Sequence, residues 1–295
     1  MLELQDCLGR IFTKEQLPPE LLKKAKRLSS IFEKKGELFC SRCYSQIDKE
    51  RYLLPIGAYY CRECILLGRV RSDEDLYYFF QESFPIISSL KWLGQLTEYQ
   101  ERVSKGLLEG VQSKQDTLVH AVTGAGKTEM IYQVVAQVLD QGGAVCIASP
   151  RIDVCLELYR RLKEDFSCDI SLLHGESDPY SRSPLVIATT HQLLKFYQAF
   201  DLLIVDEVDA FPYVDNPVLY HAVEQAVKNE GTTIFLTATS TDELDKKVQK
   251  GILKRLSLPR RFHGNPLIIP QKVWLSGLNK DLQREKLPAK LVKYL

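Results

Sequence analysis

No apolar run in this 295-residue sequence approaches the ~18 residues that a bilayer-spanning helix requires. The opening MLELQDCLGRIF lacks the basic stretch and apolar core of a secretory signal. The expectation is therefore a cytoplasmic protein without membrane insertion. Internal repeats and low-complexity tracts are also missing, which excludes solenoids and leaves packed domains. The length suits one large domain plus a small one. With 45% hydrophobic and 26% charged residues, a sizeable core inside an ordinary globular surface is expected.

Net charge is nearly absent as well, but the +1 total conceals an asymmetry. Residues 246–295 carry thirteen Lys or Arg against two acids, whereas the first 245 carry 26 basic and 36 acidic groups. A basic terminal segment points to a polyanion such as nucleic acid. A solvated basic face, or one meant for an acidic partner, explains it equally.

Residues 1–36 read as a helical segment, with PPELLKKAKRLSSIFEKKG as its amphipathic part. A cysteine-rich module follows over 37–72, then a connector over 73–95 containing the aromatic run DLYYFFQ, best read as packing although it could stack bases. From 96 to 258 short apolar strands alternate with helices, as in DTLVHAV, GAVCIASP, PLVIATT, DLLIVDEVD and TTIFLTATS. That pattern predicts an α/β domain with a mainly parallel sheet covered on both faces. The alternation stops after about 251, and 259–295 reads as a linker and the start of another unit.

Within this frame AVTGAGKTEM follows a strand and opens a helix, the context of a phosphate-binding loop. Thr123, Gly124, Ala125 and Gly126 would turn backbone N–H groups toward phosphates. Lys127 would meet the β and γ phosphates of ATP, and Thr128 would offer its hydroxyl to Mg²⁺. Ala121 stands where the usual first glycine would be. The strand LLIVDEVD ends in Asp206 and Glu207, at the sheet edge where ligands of open α/β sheets collect. Asp206 is the candidate Mg²⁺ holder and Glu207 the residue that orients attacking water. Lys127, Asp206 and Glu207 are the candidate catalytic set, and Thr237, Ala238 and Thr239 close a further strand. Upstream, Gln100 of LTEYQ is a candidate adenine contact.

Cys40, Cys43, Cys61 and Cys64 form C-x₂-C-x₁₇-C-x₂-C. Four thiolates at this spacing suit a closed structural Zn²⁺ site that folds a segment too small for its own core. An iron–sulfur cluster and free thiols are the alternatives. Cys7, Cys146, Cys155 and Cys168 show no spacing pattern and read as free thiols.

Taken together, WLGQLTEYQ, AVTGAGKTEM, SPRIDVCLELYRRL, ATTHQLLKFYQAFDLLIVDEVDAFPY and LPRRFHGNPL resemble the ComFA family of late-competence ATP-dependent DNA helicases or translocases, within helicase superfamily 2. DEAD-box RNA helicases fit less well, because the third letter of DEVD is Val208. The resemblance implies a RecA-like P-loop NTPase domain preceded by a zinc module, acting on single-stranded DNA during natural transformation. It implies competence partners such as the phosphoribosyltransferase-like ComFC, association with a membrane channel at the inner membrane face, and possible oligomers. By motif it places Arg151, His174, Gly175, Thr190 and Gln192 at the DNA backbone. It also implies a second RecA-like domain donating arginine fingers, worth about 10³-fold or more in rate in related NTPases. No Q-x-x-G-R-x-G-R-type motif follows Thr239. The expectation is thus the front part of a longer protein, binding ATP weakly and hydrolysing it poorly alone. A rival expectation is an ATP-switched interaction module that does not move along DNA.

Overall fold

The computed structural model describes residues 2–261. The expected linker and second-domain start over 259–295 therefore lie outside the described residues, apart from the first three.

The N-terminal part is built from strands. These are β1 (Ile11–Thr13), β2 (Lys26–Ser29), β3 (Ile31–Lys34), β4 (Glu37–Cys40), β5 (Gln46–Ile47) and β6 (Asp75–Tyr78), with a one-turn helix α1 (Pro19–Leu22). They form two antiparallel three-stranded sheets, β1-β6-β2 and β3-β4-β5. This corrects the helical reading of 1–36. Leu21, Leu22, Ala25 and Leu28 have helical spacing, but Leu28, Ser30 and Phe32 also alternate. Pairing Leu28 with Leu76 of β6, and Ile31 with Cys40 of β4, wins over local propensity. The cysteine module accordingly begins at β3, before residue 37. The aromatic run of the connector begins as β6, with Leu76, Tyr77 and the following Phe79 buried and Phe80 exposed. Farther along, the connector is tied to the large domain by Phe84 N–H to Gly142 O (2.8 Å) and Lys91 N–H to Asp165 O (2.8 Å).

The large domain runs α2 (Glu98–Gln112), β7 (Thr117–Ala121), α3 (Lys127–Met130), α4 (Tyr132–Asp140), β8 (Val145–Ser149), α5 (Ile152–Asp165), β9 (Ile170–Leu173), β10 (Leu185–Thr189), β11 (Phe200–Val205), α6 (Pro217–Ala226), β12 (Val227–Thr237), α7 (Asp242–Gln249) and β13 (Lys254–Leu258). All seven strands are parallel, in the order β13-β7-β12-β11-β8-β10-β9. Strand β13 was not expected, because KRLSL carries two charges. It lies at the sheet edge, where only one side is paired and the charged side chains reach water.

Successive strand residues face opposite layers, as the two-residue repeat requires. On one face Leu118, Cys146, Val186 and Leu203 meet Phe196, Leu219 and Val223. On the other Val119, Ile147, Ile187 and Ile204 meet Leu107 of α2, Val135 of α4 and Leu158 of α5. The first layer continues into the N-terminal part through Ile11, Ile47, Val70, Leu76 and the four paired cysteines. Tyr197 N–H also bonds Gly9 O (2.9 Å), and Tyr44 packs on His221 with ring centres 5.2 Å apart. The cysteine module is thus seated on the α6 face of the large domain.

Candidate nucleotide site and metal centre

A parallel sheet brings the ends of its strands to one edge, so β7, β8, β11 and β12 deliver the P-loop, Arg151, Asp206 and Thr237 to the same side. The loop after β7 turns through Gly124 and Gly126, at φ +77° and +72°. L-residues with side chains rarely hold such angles. A Cβ at Gly126 would lie 2.4 Å from Gln100 Nε2.

Lys127 Nζ donates to Asp206 Oδ1 at 2.9 Å, with both side chains largely buried. The same Asp206 oxygen accepts from Glu207 N–H at 2.8 Å. Glu207 sits at φ +54°, a strained angle for a residue with a side chain, and its Oε2 is buried without a hydrogen-bond partner. Burial, with the adjoining Asp206 carboxylate, holds Glu207 above the ordinary carboxylate range; Arg151 and Lys127 pull the other way. The candidate catalytic set is therefore assembled: a cation that can exchange a carboxylate for phosphate, one carboxylate beside it, and a second whose proton affinity is raised. In the first turn after the loop, the Thr128 hydroxyl accepts from Arg161 Nη1 at 3.4 Å, while Arg161 pairs with Glu129.

Gln100 sits against the turn of the P-loop. It is buried, and its Oε1 accepts from Thr97 N–H at 2.9 Å, closing a capping box at the start of α2. Its Nε2 donates to Ala125 O and Gly126 O, each at 3.1 Å. With both ends engaged, Gln100 fixes the P-loop turn. Beside it opens a cavity of about 490 Å³ lined by Trp92, Gly94, Gln95, Gln100, Gly124, Gly126 and Glu129. Sequence reasoning missed Trp92, Gln95 and Glu129 as wall residues. The signal was there in WLGQ, an aromatic and an amide immediately before a helix cap.

The motif at the end of β12 is bonded internally and across the sheet. Thr237 Oγ1 donates to Thr239 O (2.6 Å), and the His120 ring bonds Ala238 O (3.0 Å) and Arg255 (3.1 Å).

Of the residues placed at DNA by motif, Arg151 is exposed at the start of α5, and His174 and Gly175 lie on the loop after β9, with open space at Gly175. Thr190 and Gln192 are buried in the 190–195 turn, with Thr190 Oγ1 and Gln192 Oε1 unpartnered. The turn packs inward because Leu193, Leu194 and Phe196 belong to the core. Arg151 Nη1 lies 3.7 Å from Glu207 Oε2, so it belongs to the nucleotide edge as well.

At the other centre, the four sulfurs of Cys40, Cys43, Cys61 and Cys64 lie within 4.8 Å of one another and are buried. Cys40–Cys64 and Cys43–Cys61 are 3.8 and 3.5 Å apart. A tetrahedron with zinc–sulfur bonds of ~2.3 Å has edges of about 3.8 Å, so the donor set fits zinc. The backbone shapes the first turn through Tyr44 N–H to Cys40 O (2.8 Å). Arg42, itself buried, donates to Leu67 O and Gly68 O (2.9 and 3.2 Å) and ties the two cysteine pairs together. The scattered thiols lie outside this cluster, and burial raises Cys7 and Cys168 to about 11 and Cys155 to about 12.

The DEAD/DEAH box helicase family matches residues 97–246. The competence protein ComFA of Streptococcus pneumoniae is 68% identical over 290 residues, covering 98% of this chain and 67% of that protein. The chain belongs to the ComFA family. ComFA of Bacillus subtilis is 40% identical over 275 residues, covering 90% of this chain and 59% of that protein. The replication restart protein PriA of Bacillus subtilis is 27% identical over 206 residues, covering 64% of the chain and 25% of PriA. This ComFA-family chain thus spans about two thirds or less of the ComFA relatives it matches. Among its described residues no helix is long and apolar enough to cross a membrane.

Proposed function

We propose that this ComFA-family chain is the nucleotide-binding part of an ATP-driven motor that moves single-stranded DNA during competence. The observation that carries the reading is the Lys127–Asp206 contact of 2.9 Å at the P-loop, with Glu207 bonded to the same carboxylate oxygen. Lys127 would exchange Asp206 for the phosphates of ATP, and Thr128 and Asp206 would hold Mg²⁺. Bound Mg²⁺ supplies charge neutralisation on the β and γ phosphates. Glu207 would orient the attacking water and hold its proton. Trp92 and Gln95 would face the base from the cavity wall, and Gln100 would keep the P-loop turn in register. Arg151, His174 and Gly175 would meet the DNA backbone at the neighbouring loops. Zn²⁺ on Cys40, Cys43, Cys61 and Cys64 would hold the N-terminal module against α6.

In this reading the full-length protein works at the inner face of the membrane, with a ComFC-type partner and as an oligomer. The test is translocation along single-stranded DNA by the full-length protein, with Lys127→Ala as control. ATP-driven motion that disappears in the variant supports the motor. DNA motion that survives loss of Lys127 removes it, and the absence of any motion leaves an ATP-switched interaction module as the better reading.

A further inference from the structure

Arg151 stands between two roles. Its Nε and Nη2 are taken by Asp153 in the first turn of α5, with the Nε contact at 3.2 Å. Its remaining arm, Nη1, points to Glu207 Oε2 at 3.7 Å. That carboxylate oxygen has no hydrogen-bond donor, and Arg151 is the basic side chain paired with it in the described structure. The strained backbone of Glu207 restricts where its carboxylate can go. Yet Arg151 is also half-exposed and lies on the loop after β8, open to an incoming anion. A guanidinium has five donors in a rigid fork that suits a phosphate oxygen pair as well as a carboxylate. It cannot serve Asp153, Glu207 and a phosphodiester at full strength together.

We propose that Arg151 is a positioning residue that reports DNA occupancy to Glu207. This rests on the motor reading above. In the DNA-free state the guanidinium holds the Glu207 carboxylate toward α5. A phosphodiester that engages the exposed fork draws Nη1 away and releases Glu207. ATP hydrolysis is thereby kept slow until DNA arrives, without any movement of the P-loop. Asp153 holds the fork in place, so that one arm can exchange partners while the others stay fixed.

The test uses the full-length protein and measures ATP turnover with and without a single-stranded oligonucleotide, for wild type, Arg151→Ala and Arg151→Lys. For Arg151→Ala the DNA-independent kcat rises roughly two- to fivefold, the scale of an exposed charge contact. KM for ATP stays unchanged and the stimulation by DNA falls toward unity. Arg151→Lys, which keeps the charge but loses the fork, restores part of the stimulation. Zinc content and the binding of a fluorescent ATP analogue, both at wild-type level, show that the variants are folded. Basal kcat unchanged or lower in Arg151→Ala, with only DNA affinity lost, reduces the residue to a backbone contact and overturns the proposal. If wild type itself shows no DNA stimulation, the motor reading fails first and the proposal falls with it.

Discussion

Replacing Cys61 with serine tests how the two modules depend on each other. Cys61 is buried, with its sulfur 3.5 Å from that of Cys43. Serine removes one thiolate from a four-sulfur site and leaves a poor ligand in its place. Structural zinc contributes roughly 10–16 kcal/mol in small zinc-folded peptides. A whole domain is stable by only about 5–15 kcal/mol. Beyond the Arg42 bonds and the packing of Ile47 and Val70, little else holds the module together: β3, β4 and β5 are two to four residues long, and the second cysteine turn rests on Cys61 N–H to Val70 O. Loss of the metal therefore unfolds residues 31–72. The seven-stranded sheet has its own core on the α2, α4 and α5 side, with no residue from the cysteine module in it. The damage stops at the shared layer under α6, where Tyr44 leaves His221. The assay combines zinc content, hydrogen exchange by segment, and titration with a fluorescent ATP analogue. Expected are no bound zinc, fast exchange over 31–72, retained nucleotide binding, and a melting point for the large domain within about 2–4 °C of wild type. Zinc at full stoichiometry would refute the ligand assignment. Loss of nucleotide binding from a still-folded large domain would refute the separation of the modules.

Three further predictions concern the nucleotide edge. Gln100→Ala removes two bonds to P-loop carbonyls and half of a capping box, so it should lower stability by about 1–3 kcal/mol and weaken ATP-analogue binding in a denaturant and fluorescence titration. Trp92→Ala should weaken binding of adenine nucleotides while inorganic pyrophosphate still binds; equal loss of both would remove Trp92 from the base wall. Glu207 is held above the ordinary carboxylate range, so its charge disfavours the fold. The protonated form is the one the fold prefers: the benefit is complete below the ordinary carboxylate pKa and is lost as pH rises through the raised one. Glu207→Gln should therefore be more stable than wild type at neutral pH, an advantage that vanishes in acid, while turnover is abolished. A variant less stable at neutral pH would contradict this.

Much of the site was legible because its chemistry is local. G-A-G-K-T fixes a turn, a charge and a hydroxyl within five residues, and the strand ending in Asp206 and Glu207 states its own place at the sheet edge. The paired cysteines mark a candidate metal centre through their spacing. What stayed hidden depended on distant partners. Lys26–Ser29 became a strand because β6, about fifty residues later, offered it an edge. Lys254–Leu258 became a strand because β7 had a free side. The bonds from the Gln100 amide to Ala125 and Gly126 join residues twenty-five and twenty-six positions apart, which no local pattern shows. Arg151 near Glu207 joins two motifs whose separation along the chain says nothing of distance.

The central claim is that Lys127 and Asp206 form a phosphate-exchangeable pair at the edge of the sheet. The most direct measurement is equilibrium binding of a fluorescent ATP analogue with Mg²⁺ to this chain, wild type against Lys127→Ala. Saturable binding to wild type that is lost in Lys127→Ala, with the far-ultraviolet spectrum unchanged, is the predicted result. Equal binding by both proteins, or none by folded wild type, would contradict the account.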